Sequence, residues 1–165
     1  MKPENIPALI DRMADELRQR MDIDDRTVMV GIHTGGVWIA QLLHRKLNIQ
    51  TPLGTLDISF YRDDFTRIGM NPQVKPSELP FTLDGRNIIL VDDVLHTGRT
   101  VRAAMNELFD YGRPASIVLA ALVERSGREL PIEANVVGLH MELAAHEHVK
   151  LSGPEPLRLE VKTSP

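Results

Sequence analysis

Two uninterrupted apolar runs set the terms for this chain: Ile88-Ile89-Leu90-Val91, and the segment Ser116 to Val123, read S-I-V-L-A-A-L-V. A strand with one wet face alternates apolar and polar residues, whereas a strand covered on both faces reads as a continuous aliphatic run. Both segments are therefore expected as interior strands of a parallel sheet. Between them, Thr100 to Tyr111 repeats at helical spacing, with Val101, Ala104, Met105 and Leu108 inward and Gly112 as the stop. Strand, helix, strand in this order predicts an α/β fold whose central, mostly parallel sheet is flanked by helices.

The flanking sequence extends the same pattern. Ile6, Leu9, Ile10, Met13 and Leu17 mark a first amphipathic helix, with Pro3 and Pro7 close enough to its start to be accommodated. Thr27 to Ile32 reads as a strand, His33-Thr34-Gly35-Gly36 as a tight turn, and Val37 to Leu47 as a helix carrying Trp38 toward the core or a subunit interface. Gly54 to Phe60 is expected as a second strand. Thr66 to Pro80 contains Gly69, Pro72, Pro76 and Pro80 with few apolar residues, the composition of an irregular lid or binding loop. Beyond Glu124 the pattern weakens; Val136 to Leu139 and Leu157 to Val161 are read as short strands.

The bulk properties bound the function. A chain of 165 residues with 42% hydrophobic residues suits a single domain spanning residues 1–165. No apolar run approaches the roughly 18 residues of a membrane span, and no signal-peptide pattern opens the chain, so a soluble, cytoplasmic protein is expected. The absence of cysteine removes disulfides, thiolate catalysis and cysteine-bound zinc. A net charge of −4 and 4% aromatic residues give neither a general basic field nor many stacking platforms for nucleic acid.

The chemistry concentrates after Val91. In an open parallel sheet, ligands bind beyond the carboxyl ends of the strands, and Asp92 and Asp93 fall at that edge. Two adjacent carboxylates following a buried strand call for water, a cation or hydroxyl donors. The turn His96-Thr97-Gly98-Arg99-Thr100 adds two hydroxyls, a glycine that lets a ligand approach the backbone, and amide donors at a helix start, which together suit an anion. Carboxylates for a diol beside a turn for a phosphate describe a phosphorylated ribose. The competing reading is an ordinary capped turn; the full strand, Asp-Asp, T-G-R-T, helix arrangement favours the ligand. Neither the P-loop pattern nor the dinucleotide G-x-G-x-x-G is present.

The segment Ile88 to Thr100 resembles the 5-phosphoribosyl-1-pyrophosphate (PRPP) motif of type I phosphoribosyltransferases. With T-L-D-I-S-F-Y-R-D-D at Thr55 to Asp64, T-V-R-A-A-M at Thr100 to Met105, G-R-P-A-S-I at Gly112 to Ile117 and R-E-L-P-I at Arg128 to Ile132, the chain is similar to the PyrR family, bifunctional pyrimidine operon regulators and uracil phosphoribosyltransferases. That resemblance implies the type I phosphoribosyltransferase fold, and transfer of phosphoribose from PRPP to N1 of uracil to give UMP and diphosphate, with Mg²⁺ on PRPP. It assigns Asp92 and Asp93 to the ribose hydroxyls and metal environment, and Thr97, Gly98, Arg99 and Thr100 to the 5-phosphate. Thr34, Gly35 and Gly36 correspond to the diphosphate loop and residues 61–80 to a flexible hood; Arg62, from its place at the root of that loop, is a candidate for neutralising diphosphate, the alternative being a solvated arginine beside Asp63 and Asp64. Uracil is expected near Val94, Leu95 and Arg125. The family also implies a homo-oligomer.

Some residues depart from the family pattern. Gly35 replaces the arginine of the usual T-R-G diphosphate loop, which lowers the expected efficiency, and His96 replaces a frequent tyrosine. Where RNA-binding members carry R-G-H-R, this chain has Arg125-Ser126-Gly127-Arg128, and residues 124–165 hold five Lys or Arg against seven Glu, a net −2. Binding of attenuator RNA is therefore expected to be weak or lost. His146-Glu147-His148 is read as a solvated loop in preference to a metal site. The alternatives to a uracil enzyme are a PRPP or nucleotide sensor of pyrimidine genes with little catalysis, and a phosphoribosyltransferase for another base.

Overall fold

The structure is a computed structural model, and it describes residues 5–58 and 77–164. Helix α1 (Ile6–Arg20) opens on Asn5, whose side chain accepts from the Ala8 amide at 3.2 Å, and Pro7 sits in its first turn, where no amide is missed. Strand β1 (Thr27–Ile32) is buried along its whole length and leads into α2 (Gly35–Leu47). Strands β2 (Gly54–Leu56), β3 (Asn87–Leu95), β4 (Ser116–Arg125) and β5 (Val136–Met141) complete a five-stranded sheet in the order β2-β1-β3-β4-β5, with helix α3 (Arg99–Tyr111) between β3 and β4. Every pair in this sheet is parallel.

Alternate residues of the central strands feed two cores. Met29, Ile89, Val91, Ala120 and Leu122 meet α1 and α2, while Val28, Val30, Ile88, Leu90 and Ala121 meet α3. Because both faces are covered, the middle stretches of β3 (Ile88 to Val91) and β4 (Ile117 to Val123) are apolar without a break. Among the described residues no helix is long and apolar enough to cross a membrane.

Several boundaries differ from the sequence reading. β3 does not end at Val91: pairing of Asp92 with Ala121, Val94 with Val123 and Leu95 with Glu124 carries it through the acidic pair. The ladder outweighs the poor strand propensity of aspartate. Helix α2 begins at Gly35, two residues earlier than its apolar spacing indicates. Gly112 stops α3 in extended backbone, not the left-handed region; a Cβ there would lie 2.9 Å from Asp84 Oδ1 and 3.2 Å from Leu83 Cβ, so close packing explains the glycine.

At the C-terminus, the His146-Glu147-His148 tripeptide is only partly a loop: His146 lies in an exposed turn. Glu147 and His148 open strand β6 (Glu147–Ser152), which pairs antiparallel with β7 (Arg158–Thr163). Of the expected second strand, the part up to Ile58 is described and only Gly54–Leu56 is strand. Of the 61–80 segment only residues 77–80 are described; Glu78 bridges Thr55, and Ser77 Oγ donates to Glu107 Oε1 at 2.8 Å. Arg62 lies outside the described residues.

Candidate active site

The order β2-β1-β3-β4-β5 changes direction between β1 and β3, so a crevice opens where the carboxyl ends of these neighbours diverge. The turn after β1 and the acidic pair near the end of β3 both stand at that crevice, and they are in contact. A Cβ at Gly35 would lie 2.2 Å from Asp93 Oδ2, and one at Gly36 would lie 2.8 Å from the Val91 carbonyl and 3.3 Å from Asp92 Oδ1. The two glycines thus bring the backbone of residues 34–36 directly onto the carboxylates. The His33–Thr34 peptide is cis, and α2 starts immediately behind it, directing its first amides at the crevice.

Asp92 is buried, with Oδ1 accepting from the Asp93 amide at 2.8 Å; Asp93 is half-buried, with Oδ1 accepting from the Val94 amide at 2.8 Å. These local bonds from the following backbone amides help aim the carboxylates. No group of three or more His, Cys, Asp or Glu side chains among the described residues could hold a metal ion. Two carboxylates alone suit a hydrated Mg²⁺ brought in by a phosphorylated substrate, since that ion keeps several waters and takes one or two protein carboxylates plus phosphate oxygens.

Beyond Leu95 the chain turns through His96, Thr97 and Gly98. Gly98 has φ +96°, a left-handed conformation that a side chain would strain, and it initiates α3. The Arg99 amide donates to Thr97 Oγ1 at 3.1 Å, and the Arg99 side chain is turned to Glu129, with Nε 2.9 Å from Oε1. Asp92, Val94, Leu95, Thr97, Gly98 and Thr100 line a cavity of about 140 Å³ at this helix start, a volume matched to a phosphate group and its immediate surroundings. A larger groove of about 640 Å³ lies elsewhere, between α1, α2 and the β6–β7 turn, with mainly apolar lining residues such as Ile6, Ile10, Leu42 and Leu157. It lacks the convergent carboxylates and amides of the crevice.

Arg125 is placed differently from the other sequence candidates. Its buried guanidinium donates to backbone carbonyls: Nε to Ser126 at 2.9 Å, Nη1 to Glu147 at 2.6 Å and Nη2 to Ala144 at 3.3 Å. These bonds tie the end of β4 to the start of β6. His96 is exposed overall, but its ring lies against Gly127, where a Cβ would be 2.8 Å from Nε2. Loss of water on that side, followed by the positive charge of Arg125, lowers its pKa below the ordinary 6.5; Glu129 opposes this, while His148 and Arg128 reinforce it. A further residue at the crevice, Arg128, was not singled out by sequence reasoning. Its signal is confined to the R-E-L-P string, which does not say what the arginine touches.

A carboxylate pair and two glycine turns at a sheet switch point are the parts a phosphoribosyltransferase requires, and residues 3–152 match the phosphoribosyl transferase domain family. Solved structures agree at the level of the fold. A hypoxanthine-guanine-xanthine phosphoribosyltransferase aligns with TM-score 0.61 at 22% identity, covering 83% of this chain and 74% of that one. A purine phosphoribosyltransferase from Pyrococcus horikoshii aligns with TM-score 0.63 at 23% identity, covering 84% and 85%. Sequence relatives are more specific: the bifunctional protein PyrR of Nitrosococcus oceani is 62% identical, over 96% of this chain and 92% of its own length. That of Pseudomonas fluorescens is 56% identical over 98% of each. The chain belongs to the PyrR family of phosphoribosyltransferases.

Proposed function

We propose that the chain transfers the phosphoribosyl group of PRPP to N1 of uracil, releasing UMP and diphosphate. The observation that supports this best is the contact between the Thr34-Gly35-Gly36 turn and the Asp92-Asp93 pair, beside the Thr97 to Thr100 cavity. In this reading Thr97, Gly98, Arg99 and Thr100 hold the 5-phosphate through amides and hydroxyls, and Asp92 and Asp93 hold the ribose diol. Thr34, Gly35 and Gly36 hold the diphosphate by backbone amides. Val94 and Leu95 form the side of the site facing uracil. Arg125, spent on backbone carbonyls, shapes that side indirectly.

The chemistry follows from this placement. The C1–oxygen bond to diphosphate breaks as the C1–N1 bond to uracil forms, and the N1 proton is released. The ribose passes through a cationic, oxocarbenium-like state, which Asp92 and Asp93 favour by their fixed negative charge. The magnesium carried by PRPP supplies charge neutralisation at the leaving diphosphate. Arg62, at the root of the 61–80 segment, is assigned to the same task. The uracil reading is tested by incubating the protein with Mg²⁺-PRPP and each common nucleobase and following diphosphate: UMP formation is expected, and product from a different base alone would overturn it.

Weak RNA binding belongs to the same proposal. Both arginines of the Arg125 to Arg128 segment that would face RNA phosphates are engaged: Arg125 on carbonyls and Arg128 with Glu124. Cations already paired release few counterions on meeting a polyanion. Filter binding with a pyrimidine leader transcript should show low affinity with or without UMP.

A further inference from the structure

A turn that binds a phosphate dianion must present its amides and hold its carbonyls elsewhere, because a carbonyl oxygen aimed at the anion repels it. The turn at His96 to Gly98 meets that requirement through a distant segment. Arg128 Nη1 donates to the His96 carbonyl. The backbone amides of Glu129 and Leu130 both donate to the Thr97 carbonyl, each at 3.0 Å. The two carbonyls immediately before Gly98 are thus taken from behind.

Arg128 is itself fixed on two other sides. Its Nε donates to the Ile132 carbonyl at 2.8 Å, and its Nη2 donates to the Glu124 carboxylate, whose second oxygen is 3.2 Å from His140 Nδ1. The side chains of Arg128 and Glu124 are only 24% and 17% exposed, so solvent screens the pair less than it would on an open surface. Gly98 leans on the same segment, since a Cβ there would be 3.4 Å from the Cβ atoms of both Leu130 and Ile132. A planar guanidinium with donors on several edges can join a strand end, a loop carbonyl and the turn at once; an ammonium cannot reproduce that geometry.

We propose that Arg128 is a positioning residue for 5-phosphate binding. It holds the His96 carbonyl away from the anion and keeps residues 128–130 in register with Thr97, which leaves the amides opening α3 directed at the phosphate. Glu124 orients Arg128. This rests on the assignment of Thr97 to Thr100 as the phosphate site, and it adds a residue that acts through the turn and not on the phosphate.

The test measures ribose 5-phosphate as a competitor of PRPP, and its direct binding by calorimetry, for the wild type, R128Q, R128K and E124Q. Wild type should bind ribose 5-phosphate; R128Q should lose about tenfold or more in affinity, with R128K and E124Q between them. KM for PRPP should rise by the same factor while kcat at saturation holds within about twofold, whereas mere loss of folded protein would lower kcat and leave KM alone. Should R128Q fail to fold, E124Q, which keeps the guanidinium, decides the matter by the same KM and affinity shift. Unchanged ribose 5-phosphate affinity in R128Q, or in E124Q in that case, would overturn the role of Arg128. A wild type that does not bind ribose 5-phosphate would sink the phosphate-site assignment and this inference with it.

Discussion

The two glycine turns of the crevice, given similar work in the proposed reaction, are built differently. The turn at residues 34–36 is shaped by contact: its glycines exist because the β3 backbone and the Asp93 carboxylate occupy the space where side chains would be. The turn at residues 96–98 has room, with the nearest neighbour of a Cβ at Gly98 as far as 3.4 Å, and is held instead by hydrogen bonds from residues 128–130. One is defined by steric exclusion within adjacent strands, the other by a support about 30 residues away in sequence. Identical residue types at one crevice can therefore carry unlike constraints, and the substitutions that damage them should differ in kind.

The largest effect is expected at Gly36. An alanine Cβ would lie 2.8 Å from the Val91 carbonyl and 3.1 Å from Asp92 Cα, and backbone cannot step aside cheaply. Gly36→Ala should cost about 3 kcal/mol, the upper end of overpacking, seen as a lowered urea midpoint at constant m-value. At Gly35 the obstructing atoms belong to the Asp93 side chain, which can rotate away. Gly35→Ala should therefore leave the urea midpoint nearly unchanged while kcat/KM for PRPP falls about tenfold, equivalent to about 1.4 kcal/mol, as the carboxylate is displaced from its proposed place on ribose. A Gly35→Ala protein with full activity would show that this contact is incidental.

Gly98→Ala has space but the wrong backbone, at φ +96°, and should cost about 1 kcal/mol of stability. Because its support is remote, its midpoint should shift less than that of Gly36→Ala; an equal or larger shift would erase the contrast between the turns. The smallest effect belongs to His96. Its pKa lies below 6.5 in the folded protein, so the unfolded chain binds more protons between that lowered value and about 6.5. Stability should rise with pH through this window and gain nothing further from His96 above it. His96→Gln should flatten that rise, measured as urea midpoints from pH 5 to 8.

The same contrast explains what could be read from residue order. The strands of the sheet announce themselves because burial on both faces leaves them apolar, and the acidic pair, the T-G-R-T turn and the T-G-G turn are each contiguous. The end of β3 is hidden, since Asp92 and Asp93 look like a stop until β4 is seen to pair alongside them. Strand β6 is hidden for another reason. Its Val149 and Leu151 alternate with His148, Lys150 and Ser152, a period-two pattern too short and too charged to separate from a loop. Arg128 illustrates the general limit: its partners His96, Glu124 and Ile132 are joined by the fold, and no local pattern of residues anticipates them.

Arg125 gives the C-terminal hairpin a standing that its exposure conceals. A buried cation whose hydrogen bonds end on the carbonyls of Ala144 and Glu147 makes β6 a part of the main sheet's electrostatics. A chain cut before residue 144 would keep all five parallel strands and still lose both carbonyls that fix the Arg125 Nη atoms at the end of β4. The hairpin is, in effect, the counter-surface that allows an arginine to end β4, and a minimal catalytic domain drawn around the sheet alone would exclude it.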